Sequence, residues 1–265
     1  MPTIVGSCGA RLPVDALLRF TARMQPGRTR RRFARLKAQR EINTPVLKRG
    51  MRSRSRTLLL AFGGLDRRIG MPPFEFLALT GDLPVKRIFL RDPRRSWYHR
   101  GLPERGDTLT DVADSLRGEI ADLGVERLVV AGNSGGGYAA LVYGTLLRAN
   151  LVLSFSPRTV LDPQILEVMG ERREDIDALA AAGDLDTRWT DLGRALPAER
   201  DSETHYKVYF DTTHTKDRLH AERLIGLEGL RMYRFGTGGH ELVRQLRDVG
   251  ALARIVREAV APRAG

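Results

Sequence analysis

A chain of 265 residues, 42% of them hydrophobic, suits one α/β domain with a large buried core, or one such domain with an extension. No uninterrupted apolar run reaches the roughly 18 residues of a membrane span, and the N-terminus lacks the basic-then-apolar order of a signal peptide, so a cytoplasmic protein without a transmembrane segment is expected. The single cysteine, Cys8, excludes an intramolecular disulfide, and no Cys/His cluster has the spacing of metal ligands.

The net charge of +12 is unevenly placed. Residues 1–56 carry 15 Lys/Arg against Asp15 and Glu41, a net +13, while the remainder is close to neutral at −1. The densest run, Arg28–Arg40, suits a solvated face or an anionic partner for residues 28–56, such as a polyanion or a charged membrane surface. Phe33 is its one aromatic, so base stacking has little support.

In chain order, Thr3–Gly6 is a short apolar piece and Val14–Met24 a candidate helix. Thr57–Phe62 is a continuous apolar strand ending in Gly63-Gly64-Leu65, the pattern of a parallel sheet covered on both faces. Val85–Leu90 is the next strand, and the arginine-rich loop Arg91–Arg100 follows it. A helix is expected over Asp107–Leu123, capped by Thr108 or Thr110 and closed by Gly124. The strand Arg127–Ala131, a helix to about Arg148 and the strand Leu151–Phe155 come next. Residues 158–204 break the alternation with helical stretches at Pro163–Met169, Arg172–Ala182 and Trp189–Leu196, an insertion suited to covering the strand ends. The strand Tyr206–Phe210, the helix Arg218–Leu227, the strand Arg231–Phe235, a glycine-rich loop bearing His240 and a long helix Glu241–Val260 complete the chain.

The informative stretch is Gly132-Asn133-Ser134-Gly135-Gly136, a Gly-x-Ser-x-Gly motif at a strand-to-helix corner. A nucleophile elbow needs small residues two before and two after the serine, because the corner is strained and crowded. The helix start also places unpaired N–H groups and the positive dipole end where an acyl-transfer oxyanion would form. A serine hydroxyl needs an adjacent base, for which a neutral imidazole is suited near pH 7. Of His99, His205, His214, His220 and His240, His240 alone follows the final strand on a glycine-rich loop.

This order of elements, with the elbow at 132–136 and the late Gly-Gly-His at 238–240, resembles the α/β-hydrolase superfamily over about residues 57–260. The resemblance implies a mostly parallel central sheet flanked by helices, a small helical lid at 158–204 and a basic extension at 1–56. It implies Ser134 as nucleophile, His240 as base, and an acid after the strand that follows the insertion. Asp217, ahead of the next helix, suits the usual placement and is taken as the acid; Asp211, which ends the strand, is the alternative. The oxyanion hole would combine the N–H of Gly135 with that of Gly64 or Leu65.

Arg94, Arg95 and Tyr98, on a loop leaving the same sheet edge as the elbow, are expected to bind an anionic or sugar-bearing substrate. Ion pairs to the acidic insertion are the alternative for these arginines. The expected activity is hydrolysis of a carboxylic ester or thioester, small or glycan-linked, through an acyl-enzyme that needs no cofactor. Two rival readings are an acyltransferase that passes the acyl group to a sugar or amine, and a non-catalytic scaffold held on a polyanion by the basic segment.

Overall fold

The computed structural model describes residues 44–65 and 76–261, so the expectations for Thr3–Gly6, Val14–Met24 and Arg28–Arg40 lie outside the described residues. The sheet has seven strands: β1 (Val46–Arg49), β2 (Thr57–Phe62), β3 (Lys86–Leu90), β4 (Arg127–Asn133), β5 (Leu151–Phe155), β6 (His205–Asp211) and β7 (Leu230–Phe235). Their spatial order is β1-β3-β2-β4-β5-β6-β7, with every pair parallel except β1 against β3.

The expected domain start at residue 57 needs correction, because β1 already belongs to the sheet, its Val46 opposite Leu90 and its Arg49 opposite Arg87. The basic residues there are also engaged with the body: Lys48 pairs with Glu119, and Arg56 with Glu126.

Alternation along the strands builds two cores. Leu58, Leu60, Phe62, Val130 and Val152 face one side, under helices α1 (Leu109–Asp122) and α2 (Gly135–Leu146). Leu59, Ala61, Val129, Ala131, Leu153 and Phe155 face the other, under α7 (Leu242–Asp248) and α8 (Ala251–Val260). Thr108 caps α1 in a reciprocal capping box with Asp111, as the Thr-x-x-Asp spacing suggests. Helix α2 is buried at every residue from Gly135 to Thr145, which explains its lack of a polar face. The single helix expected over 241–260 is two helices, because Gly250 takes φ +74 between them and ends the first.

Residues 158–204 form α3 (Pro163–Val168), α4 (Arg173–Ala180), a 3-10 turn at Thr187–Trp189 and α5 (Leu192–Glu199). This insertion is built into the first core: Trp189, Leu192 and Leu196 are fully buried with it. The last helix before β7 is α6 (Thr215–Glu222). Among the described residues no helix is long and apolar enough to cross a membrane.

Candidate active site

Strand β4 ends at Asn133, and the chain turns into α2 through Ser134, whose φ of 55° and ψ of −117° are rarely adopted by an L residue. The corner is held from both sides. The Ser134 N–H donates to Phe155 O at 2.9 Å, and its carbonyl accepts from Tyr138 N–H at 3.0 Å. A Cβ at Gly132 would lie 1.9 Å from Gly136 O, and one at Gly136 would lie 2.3 Å from Phe62 O. Both contacts are with backbone, which cannot rotate away, so only glycine fits the flanks of the serine.

Ser134 Oγ lies 3.0 Å from His240 Nε2, and His240 Nδ1 lies 2.8 Å from Asp217 Oδ1. The carboxylate accepts only if Nδ1 carries the proton, which leaves Nε2 bare to accept from the serine hydroxyl. Asp217 is almost fully buried, and burial alone would raise its carboxyl. The hydrogen bond from His240, the charges of His240 and His214 and the nearby Ser156 hydroxyl outweigh that and hold it below the ordinary carboxylate range. Ser156 Oγ and Asp217 Oδ2 are both buried, and among the described residues neither has a hydrogen bond of normal geometry.

Asp211, the alternative acid, sits one step behind. Its Oδ1 accepts from Thr213 N–H and Oγ1, each at 2.7 Å, and its Oδ2 accepts from Gly239 N–H at 2.6 Å. It therefore braces the loop that carries His240 and does not face the ring.

His214 was not expected near the site. Its Nδ1 lies 3.0 Å from Asp217 Oδ1 and 3.3 Å from Asp217 N, and its ring centroid is 5.7 Å from that of His240. With Nδ1 bare it accepts the backbone N–H and caps α6; with Nδ1 protonated it donates to the carboxylate. The His-x-x-Asp spacing at a helix start was the available signal. Donor atoms of His214, Asp217 and His240 lie within 4.8 Å of one another, close enough to gather around a metal ion, although His240 would have to leave Ser134 or Asp217 to do so.

Gly63 N–H is committed to Leu90 O at 2.8 Å, which leaves Gly64 and Leu65 as the residues of this loop expected to supply an oxyanion donor. Gly135 begins α2, where an N–H has no intrahelical acceptor. Tyr98, expected at the substrate, is instead in the core. It is fully buried, and its hydroxyl donates to Gly63 O at 2.8 Å, so it positions the glycine loop from behind. The cause is Asp92, whose buried carboxylate accepts the N–H groups of Arg94, Ser96 and Tyr98 and winds the loop through positive φ at Arg95, Trp97 and Tyr98. That winding turns Tyr98 inward and leaves Trp97 against the elbow.

A cavity of about 680 Å³ opens over Ser134, Gly135 and His240. Leu65, Trp97, Leu161, Leu166 and Leu179 give it an apolar wall, and Arg94, Arg95, Arg158, Arg172 and Lys216 bring positive charge. Arg94 pairs with Asp107 rather than with the insertion, and Arg172 pairs with Asp175. Arg158 and Lys216 carry no local sequence signal; each follows the C-terminal end of a strand, on the edge that carries the elbow.

A seven-stranded sheet with one antiparallel edge, an elbow after its middle strand and a helical insertion over the strand ends is the α/β-hydrolase fold. No family model and no curated protein matches the sequence. Solved structures similar to it include the capsule O-acetyltransferase of Neisseria meningitidis serogroup A, at 13% identity and TM-score 0.58 over 80% of this chain and 90% of that one. A putative esterase from Staphylococcus aureus is similar at 13% identity and TM-score 0.56 over 92% of this chain and 96% of that one. The α/β hydrolase MGS-MChE2, from a sediment metagenome of the Mar Chica lagoon, Morocco, is similar at 15% identity and TM-score 0.51, over 80% and 94% of the two chains. Identities this low establish the shared fold and leave the chemistry to the site.

Proposed function

We propose that this protein is a serine acyl-ester enzyme that works through an acyl-enzyme on Ser134. The observation that carries the reading is the continuous relay from Ser134 Oγ through His240 to a buried, ionised Asp217. In this mechanism Ser134 Oγ attacks the ester or thioester carbonyl carbon as its proton passes to His240 Nε2. The Asp217 carboxylate stabilises the imidazolium through the Nδ1 proton. The N–H groups of Gly135 and of Gly64 or Leu65 bind the tetrahedral oxyanion. His240 then gives its proton to the leaving oxygen or sulfur, and the acyl group stays on the serine. Water or a second alcohol, deprotonated by the same imidazole, releases it. Arg94 and Arg95 hold charged parts of the substrate at the cavity mouth.

A fluorophosphonate probe should label the wild type and leave Ser134→Ala unlabelled; equal labelling of the two would refute the reading. Transfer to a sugar uses the same intermediate, and an O-acetyltransferase among the structural neighbours supports keeping it as the second reading. Product analysis with and without sugar acceptors separates the two.

A further inference from the structure

The direction of proton transfer divides the cavity into two halves. The leaving oxygen must collect its proton from His240 Nε2, so the alcohol half of the ester lies on the imidazole side. The turn that carries Asp217 behind that imidazole also carries His214 and Lys216 into the cavity wall. Arg158, which follows β5, completes this side of the wall.

Lys216 Nζ bonds Glu171 Oε2 at 2.8 Å, and Arg158 Nη1 bonds Glu171 Oε1. One carboxylate thus serves two cations. Its side chain is 1% exposed, whereas those of Arg158 and Lys216 are 21% and 29% exposed. The carboxylate side chain is buried behind its partners, and both cations line the cavity. His220, also against Glu171, has its own ring nitrogen Nδ1 occupied by Thr159 N–H. Burial lowers its pKa, with the Glu171 bond opposing, so it adds no charge at neutral pH.

Resting on the acyl-enzyme reading above, we infer that the alcohol half of the substrate, or the acceptor in transfer, carries an anionic oxyacid group that bridges the guanidinium of Arg158 and the ammonium of Lys216. Lys216 has two further N–H donors beyond the one given to Glu171, and Arg158 has a second terminal nitrogen, so the pair can take a phosphate or carboxylate without breaking the anchor. A neutral alcohol without such a group would leave these donors without an anionic acceptor in a partly desolvated wall.

The test is protection of Ser134 in the full-length protein from fluorophosphonate labelling by glucose 6-phosphate, glucuronate and glucose. The phosphate, the uronate or both should slow labelling about tenfold more than glucose does at equal concentration, the factor one charge-assisted contact pair supplies. The two charged arms identify which oxyacid the site takes. Lys216→Gln and Arg158→Gln should each abolish the difference. Lys216→Gln, which leaves Glu171 bonded to Arg158, keeps the test open if the other variant fails to fold. Equal protection by all three sugars in a wild type that labels normally would overturn the inference and leave the acyl-enzyme reading standing, as would a difference that survives both substitutions. A wild type that does not label at all would overturn the acyl-enzyme reading and this inference with it.

Discussion

Acidification should loosen the insertion from the core through one buried imidazole. His99 Nε2 lies 2.6 Å from the Tyr138 hydroxyl, which donates to Trp189 O at 3.0 Å, while His99 Nδ1 accepts from Asp186 N–H at 2.9 Å. The ring thus ties helix α2, four residues after the serine, to the insertion, and it does so only when neutral: a proton on Nδ1 would expel the Asp186 N–H. Burial lowers the His99 pKa from 6.5 to about 4, with the Asp186 charge opposing. A lowered folded pKa means that the unfolded chain binds the proton first. The stabilisation is therefore fully present above pH 6.5 and is lost as pH falls towards 4. At 1.36 kcal/mol per pH unit the full loss is about 3 kcal/mol, of which roughly 2 kcal/mol falls between pH 7 and 5. Urea midpoints at those two pH values should show it, by comparison with His99→Asn, whose side-chain oxygen keeps the Asp186 bond and cannot titrate. The wild type should lose about 2 kcal/mol more than the variant over this interval. Identical losses in both proteins would refute the argument.

Three further outcomes follow from the site. Asp217→Asn should lower kcat/KM by about 10³- to 10⁴-fold through the wrong imidazole tautomer, whereas Asp211→Asn, which weakens the bonds to Thr213 and Gly239 behind the ring, should cost tens-fold at most; steady-state kinetics on one acetyl ester checks the order. Gly136→Ala should drive the protein into the insoluble fraction or lower its Tm by several degrees, since the added methyl would meet Phe62 O at 2.3 Å; a Tm within a degree of wild type would contradict the steric reading of the elbow. A Cβ on Gly135 would lie 2.8 Å from Leu65 Cγ and 3.3 Å from the Trp97 ring, so on the acyl-enzyme reading these two side chains should restrict the acyl group to short chains. A chain-length series of nitrophenyl esters should peak at acetyl or propionyl and shift to longer chains in Leu65→Ala.

What the sequence disclosed depends on where the controlling interaction lies. β2, β4 and β5 are legible because a parallel strand covered on both faces must be apolar at consecutive positions, and Thr57–Phe62 and Leu151–Phe155 carry that constraint in the residues themselves. The elbow is legible because its steric demand falls on Gly132 and Gly136, two positions from the serine. β1 was hidden, since half of Val46–Arg49 is charged and an edge strand needs only one buried face. Tyr98 was misplaced because a loop has no period from which to read direction; the facing of each residue there depends on which N–H groups the Asp92 carboxylate collects. Arg158 and Lys216 lie far apart along the chain and meet only through Glu171, a contact that no local pattern records.

The same wall bears on whether the acyl group ends on water or on a second alcohol. Acylation and deacylation traverse one tetrahedral geometry in opposite directions, so the acceptor must approach from the side by which the alcohol left, with its proton going to His240 Nε2. A group that binds the departing alcohol is therefore also placed to meet an incoming one. The relay of Ser134, His240 and Asp217 is indifferent to the choice. On the acyl-enzyme reading it would turn on how well an incoming alcohol competes with water for the imidazole side, and so on how firmly Arg158 and Lys216 would hold that alcohol. Weakening that hold with Lys216→Gln should shift the products towards free acid if transfer is the natural reaction, because water needs no charge to enter the vacated half.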